Sequence, residues 1–232
     1  MRDPHRFSDP MVRSDGALPA SGGAEAPRPR GGCQPRGGSF RRVPKRLELG
    51  PCAALRHEGA EDRCAVLLPG QFYPTRAPVL WFAREAVLAQ GWSAIEILGE
   101  PGGHPDPLGW ERECAERALG HGDAQKLVIG KSLASLLAPQ VSERELPAVW
   151  LTPLLTDPTV TEGLARARRP TLLIGGTSDR LWQRTEIPDN PALEVLELPG
   201  LDHGLQAPGE PQASLDALRQ LTDAVGRVVG QL

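Results

Sequence analysis

Residues 127–135 read LVIGKSLAS, and the meaning of Gly-Lys-Ser inside that run decides how the rest of the chain is read. A phosphate-binding loop ends in the same three residues, but it also needs a glycine five positions before its Gly-Lys, because a flexible ring of backbone N–H groups must wrap the phosphates. Here that position is Gln125, and Lys126, Leu127, Val128 and Ile129 fill the interval. A run of this kind belongs to a buried strand and cannot also curl around an anion. The other motif with this spacing is a strand, a tight turn with glycine two residues before a serine, and a helix that starts at once, which pushes the serine out at the strand end. Gly130 allows the close approach that turn demands, Ser132 follows the apolar run, and SLASLLAP (132–139) begins a helix. Ala134 stands where a second glycine is usual, and alanine is the smallest replacement that still lets helix and strand pack closely. On these residues alone, a serine that merely caps a core helix remains open.

The downstream sequence separates the two. A nucleophilic serine needs a base within hydrogen-bond reach and a carboxylate that orients the base. TLLIGGTSDRLW (171–182) places Asp179 just past an apolar strand, and LEVLELPGLDHGL (193–205) places His203 in the loop after the next one. Parallel strands bring their C-terminal ends to one edge of a sheet, so Ser132, Asp179 and His203 converge there although 47 and 24 residues separate them. Asp157, after the strand at 148–151, is a second candidate acid. His104 and His121 lie in loops with no nucleophile on a matching strand end and read as surface residues.

The rest of the chain keeps the same rhythm of short apolar runs and amphipathic stretches. Strands are expected at 64–70, 93–99, 126–130, 148–151, 171–176 and 193–200, with one or two weaker edge strands in 45–63. Helices are expected at 75–91, from 132, and at 107–120, 159–169 and 211–232, with Thr75 as an N-cap and Gly91 as a stop. Leu215, Leu218, Leu221 and Val225 share one face of the last helix, and Trp81, Trp92 and Trp150 are expected in the core. This alternation predicts an α/β fold: a mainly parallel twisted sheet with helices on both faces. Only nineteen residues separate the strands ending at 151 and beginning at 171, too few for a cap domain, so the site should be open.

Composition divides the 232 residues unequally. Residues 1–44 are rich in Gly, Pro and Arg without apolar periodicity, and are expected to be a disordered basic tail ahead of a single domain over 45–232. Residues 1–46 hold ten of the 26 Lys and Arg but four of the 29 Asp and Glu, so the remainder carries sixteen against twenty-five, a net of −9. Such an acidic body argues against a nucleic-acid groove. No secretory signal pattern and no run long enough to span a membrane are visible, which points to the cytoplasm and to no membrane partner. Cys33, Cys52, Cys64 and Cys114 have no metal-like spacing and are expected to be reduced, with a Cys52–Cys64 disulfide disfavoured on compartment grounds. No metal or organic cofactor is expected.

Residues 64–232, through VIGKSLAS, LLIGGTSDRLW and LPGLDHG, resemble the α/β-hydrolase superfamily, near its small lidless, dienelactone-hydrolase-like branch. The resemblance implies a serine hydrolase that cleaves an ester, thioester or related acyl bond of a small-molecule substrate. Ser132 would be the nucleophile, His203 the general base and then acid, and Asp179 the orienting carboxylate. The backbone N–H of Leu133 would be one oxyanion donor, and that of Gln71 or Phe72 the other, although PGQFY (69–73) departs from the His-Gly of many relatives. Tyr73, Pro153, Leu154, Leu155 and Trp182 would wall the substrate pocket. A non-catalytic binding or scaffold protein on the same fold is the alternative.

Overall fold

The structure, a computed structural model, describes residues 43–122 and 124–232, so the expectation of a disordered tail falls outside the described residues but for its last two positions. Eight strands form one sheet in the order β1-β2-β4-β3-β5-β6-β7-β8. β3 (Arg63–Leu68), β4 (Ser93–Ile97), β5 (Gln125–Lys131), β6 (Ala148–Leu151), β7 (Thr171–Gly176) and β8 (Leu193–Leu198) run parallel. β1 (Lys45–Leu49) and β2 (Cys52–His57) are the expected weaker strands, an antiparallel hairpin set against β4. Their two-residue turn puts Gly50 at φ 75° in its first position, where a hairpin turn of the mirror type favours glycine. Lys45, Arg46 and Glu48 leave the outer strand charged and exposed, which discourages edge-to-edge pairing.

Because the central strands are covered on both sides, their side chains are buried without alternation, which is why these runs read as continuously apolar. Leu127 and Ile129 of β5 face α1 (Pro78–Ala89) and α5 (Pro211–Val229), whereas Val128 faces α2 (Pro107–Leu119), α3 (Ala138–Glu143) and α4 (Pro158–Ala165). The two cores therefore lie on opposite faces of one sheet, and the β-to-α turns collect at its C-terminal edge.

Several local expectations shift. Pro78 opens α1, and the next N–H, that of Val79, finds its acceptor in the Tyr73 hydroxyl at 3.1 Å. Thr75 is not the cap; its hydroxyl lies 2.8 Å from the Ile97 carbonyl oxygen and 3.1 Å from Glu96 Oε1. Glu96 is itself buried: desolvation pushes its carboxyl up, but hydrogen bonds from His57 and Arg84 and the Arg84 charge overcome this and hold it below the ordinary range. Gly91 does end α1 in the left-handed conformation, at φ 83°. Leu215 is 56 % exposed, since the buried stripe of α5 runs through Ala217, Leu221, Ala224, Val225 and Val228 instead. Trp92 and Trp150 are core residues, but Trp81 sits at the surface beside Arg84. Cys52, Cys64 and Cys114 are free and buried.

One buried group works against the fold. Glu111 of α2 is fully buried, and among the described residues neither carboxylate oxygen has a hydrogen-bond partner. Burial raises its pKa well above the usual carboxylate value. The folded state then holds the proton more tightly than the unfolded chain, so the contribution to stability is complete below pH ~4 and is lost as pH climbs through the folded pKa. Glu111→Met removes the ionisable group at similar volume. Its melting temperature should exceed that of the wild type at pH 8 by a few degrees, at roughly 2–4 °C per kcal/mol for a domain of this size, and by less at pH 5. Equal shifts at both pH values in thermal melts would refute this account.

Candidate active site

The turn after β5 is built by three small residues and one strained one. A Cβ on Gly130 would stand 2.7 Å from the Ala134 Cβ and 2.7 Å from Trp150 Cζ3, so glycine there is what lets alanine replace a second glycine at 134. Ser132 has φ 53°, a conformation that costs an L-residue on the order of 1–3 kcal/mol and persists only when the surroundings hold it. Ser135 supplies part of that hold: its hydroxyl donates to the Ser132 carbonyl at 2.7 Å and accepts from the Leu154 N–H at 3.0 Å. The helix expected from 132 begins as a tight 3-10 turn, Ser132–Leu137, before α3 takes over.

Asp179 and His203 approach from the next strands along the edge. Asp179 is buried, and its Oδ1 accepts from the Leu181 N–H at 2.9 Å, which sets the carboxylate plane. Its Oδ2 lies 2.6 Å from His203 Nδ1, and His203 Nε2 lies 2.8 Å from Ser132 Oγ. A carboxylate only accepts, so the proton belongs on Nδ1, leaving Nε2 to accept from the Ser132 hydroxyl. The His203 loop is tightly folded: Asp202 Oδ1 accepts from the Gly204 and Gln206 N–H groups, and the Leu205 N–H donates to the Asp202 carbonyl. Asp157 borders the same cleft but is spent on capping α4, through a 2.8 Å bond from the Thr159 N–H, while the imidazole is bonded to Asp179. His104, in the loop after β4, and His121, in the loop after α2, are not among the residues that line the cleft with Ser132 and His203.

Ser132 and His203 open onto a cleft of about 670 Å³ lined by residues that include Gln71, Phe72, Tyr73, Leu133, Leu154 and Leu181. Gln71 and Phe72 form the tip of a turn closed by paired backbone hydrogen bonds between Gly70 and Tyr73, at 2.8 and 3.2 Å. Gly70 lies beside Ser132: a Cβ on Gly70 would stand 3.6 Å from the Ser132 Cβ. Leu133, in the first turn of the 3-10 helix, has an N–H with no acceptor within the helix. Phe72 is 72 % exposed at the rim.

Three of the expected pocket residues are not in the wall. Trp182 is buried on the opposite side of β7, packed so closely on Gly175 that a Cβ there would fall 1.9 Å from its ring, and its indole N–H donates to Glu197 at 2.6 Å. The turn at Asp179 folds back after the strand, so the residue three further on returns to the sheet rather than entering the cleft. Leu155 is a core residue, and Pro153 is buried and does not line the cleft. Leu181, Thr156, Pro158 and Gly204 line the cleft without having been singled out in the sequence. Lys131 departs furthest from a solvent-exposed side chain: it is 2 % exposed, and burial pushes its ammonium down to a pKa of about 8. Among the described residues no group of three or more His, Cys, Asp or Glu side chains is arranged to hold a metal ion. No helix among them is long and apolar enough to cross a membrane.

No protein-family model and no curated protein sequence matches the chain. Solved structures do. An α/β serine hydrolase homologue from Coxiella burnetii superimposes with a TM-score of 0.63 at 12 % identity, over 81 % of this chain and 97 % of that one. A serine hydrolase without lid from Xanthomonas campestris gives 0.61 at 15 % identity, over 83 % and 96 %. Est1E from Butyrivibrio proteoclasticus, with ferulic acid bound, gives 0.60 at 11 % identity, over 79 % and 96 %. At such identities the likeness establishes the fold: this chain has the α/β-hydrolase fold without a cap domain.

Proposed function

We propose that the protein is a serine hydrolase acting on an ester, thioester or related acyl bond. The observation that carries the reading is the unbroken chain from Asp179 through His203 to Ser132, with Ser132 in a strained turn at the mouth of an open cleft. Ser132 Oγ attacks the acyl carbon while its proton passes to His203 Nε2, and Asp179 stabilises the imidazolium. The tetrahedral oxyanion is held by the Leu133 N–H and by an N–H of the Gln71–Phe72 turn. The C–O or C–S bond to the leaving group then breaks, and that group takes the proton from Nε2. Water attacks the acyl-enzyme, gives a proton to Nε2, and the acid departs as the proton returns to Oγ.

Leu133, Leu154, Leu181 and Phe72 favour an apolar acyl or alcohol part, and the uncapped cleft favours substrates that need no enclosure. The solved structures of like fold, one described as a serine hydrolase homologue, one as a serine hydrolase without lid and one with ferulic acid bound, support the same class of reaction. The test is a fluorophosphonate probe followed by peptide mapping, then a series of p-nitrophenyl esters of increasing chain length. One labelled residue, Ser132, and loss of ester hydrolysis on labelling are expected. Labelling at another serine would overturn Ser132 as the nucleophile, and no labelling with no hydrolysis would leave the binding-only alternative on this fold.

A further inference from the structure

Lys131 occupies the middle of Gly-Lys-Ser, adjacent to the proposed nucleophile, and borders the cleft, yet its side chain is buried among the surrounding loops rather than extended into solvent. Its Nζ donates to the His203 carbonyl oxygen at 3.0 Å and to Thr152 Oγ1 at 3.0 Å, and sits 4.6 Å from the centre of the Tyr73 ring. One ammonium therefore touches three of the loops that form the cleft: the one after β3 through Tyr73, the one after β6 through Thr152, and the one after β8 through His203. Thr152 is itself in the left-handed region at φ 46°, and so is Leu205 at φ 55°, so the loops being joined are conformations that need outside support.

The geometry points to Lys131 as a positioning residue for turnover, holding the His203 loop by its main-chain carbonyl so that the imidazole stays aligned with Ser132. This inference rests on the hydrolase reading and adds a residue to it. The grip is strongest for the charged amine, since hydrogen bonds from an ion are about twice as strong as neutral ones and the attraction to the Tyr73 ring needs the charge. The charged and titratable groups facing it are Tyr73 from the β3 loop, Asp179 from the β7 loop, and Asp202 and His203 from the β8 loop. Burial weakens the proton's hold, and the two aspartates only partly restore it, which leaves a pKa of about 8. Protonated Lys131 is thus the holding form below pH 8, and the hold slackens as pH rises through that value.

The experiment measures kcat and KM for p-nitrophenyl acetate from pH 6 to pH 9.5 in the wild type, Lys131→Met and Thr152→Val. For Lys131→Met, kcat should fall on the order of 10²-fold at pH 7, the scale of a small misplacement of reacting groups, with KM within about two-fold. The wild-type kcat should decline through pH 8 toward the level of the variant, and the variant should show no such decline. Thr152→Val keeps the shape of the side chain but removes an acceptor from the charged amine, so its decline should move to lower pH; this arm decides if Lys131→Met does not fold. A wild-type kcat or an unchanged alkaline decline in Lys131→Met, or an unmoved decline in Thr152→Val, overturns the inference. A readout free of turnover separates this from the hydrolase reading: the downfield NMR signal of the His203 Nδ1 proton should be present in the wild type and broadened or lost in Lys131→Met or, if that variant does not fold, in Thr152→Val. An inactive wild type defeats the hydrolase reading, and the NMR comparison then decides whether Lys131 holds the imidazole.

Discussion

Ser132→Ala, His203→Ala and the double variant are expected to lose the same factor in kcat, on the order of 10⁶, rather than factors that multiply. Ser132 Oγ and His203 Nε2 share one hydrogen bond at 2.8 Å, and attack and proton removal are one event. Once either atom is missing, the other has nothing to act on. What survives comes from the oxyanion donors and from binding, neither of which those substitutions touch. Single-turnover rates with an activated ester, compared across the three variants, measure this. Losses that multiply would mean that the two groups work independently, and the hydrogen-bonded chain would then not be the reacting unit. The folds should be intact: an alanine at 132 keeps the Cβ beside Gly70, and the loop that carries His203 is closed by bonds from the Gly204 and Gln206 N–H groups to Asp202 Oδ1, which do not involve the imidazole.

Asp179→Asn should lower kcat on the order of 10⁴-fold, while fluorophosphonate labelling of Ser132 slows but still occurs. The carboxylate accepts two N–H donors, from His203 Nδ1 and the Leu181 backbone. An asparagine can turn its oxygen to only one of them. If it serves the backbone, its NH2 faces Nδ1 and favours the tautomer with the proton on Nε2, which cannot take the Ser132 proton. Asp157→Asn makes the contrast, because the amide oxygen can still accept from the Thr159 N–H and cap α4, and its kcat should stay within about ten-fold of the wild type. Equal losses at both positions in steady-state assays would sink the assignment of the acid.

Much of this molecule was legible in the sequence because local pattern and tertiary environment agree there. β5, β6 and β7 are apolar without interruption because both faces of each are covered, and the glycines at 130, 175 and 176 mark places where another group comes too close for a Cβ. The parallel order of the strands then requires that the loops after β5, β7 and β8 share an edge, so Ser132, Asp179 and His203 could be named as neighbours without coordinates. Spacing along the chain carried that inference, since topology alone converts distant positions into adjacent ones.

Direction of side chains was another matter. Trp182 follows the Asp179 turn and reads as a pocket wall, but the turn reverses the chain and lays the indole on Gly175. Leu215 fits the helical stripe of α5 by spacing, yet the buried stripe runs through Ala217, Leu221 and Val225, and Leu215 faces solvent. Thr75 has the chemistry of a cap, and a phenol two residues earlier takes the place. Lys131 illustrates the limit most clearly: nothing in Gly-Lys-Ser says whether the lysine faces water or the protein. Sequence by itself determined the sheet, its order of elements and the strand ends that carry Ser132, Asp179 and His203, because hydrophobic burial and backbone geometry act through local composition. Only the tertiary structure decided that an ammonium lies buried among those loops, because its acceptors, Thr152 and His203, come from the loops after other strands and offset the cost of burying the charge only when all three are in place.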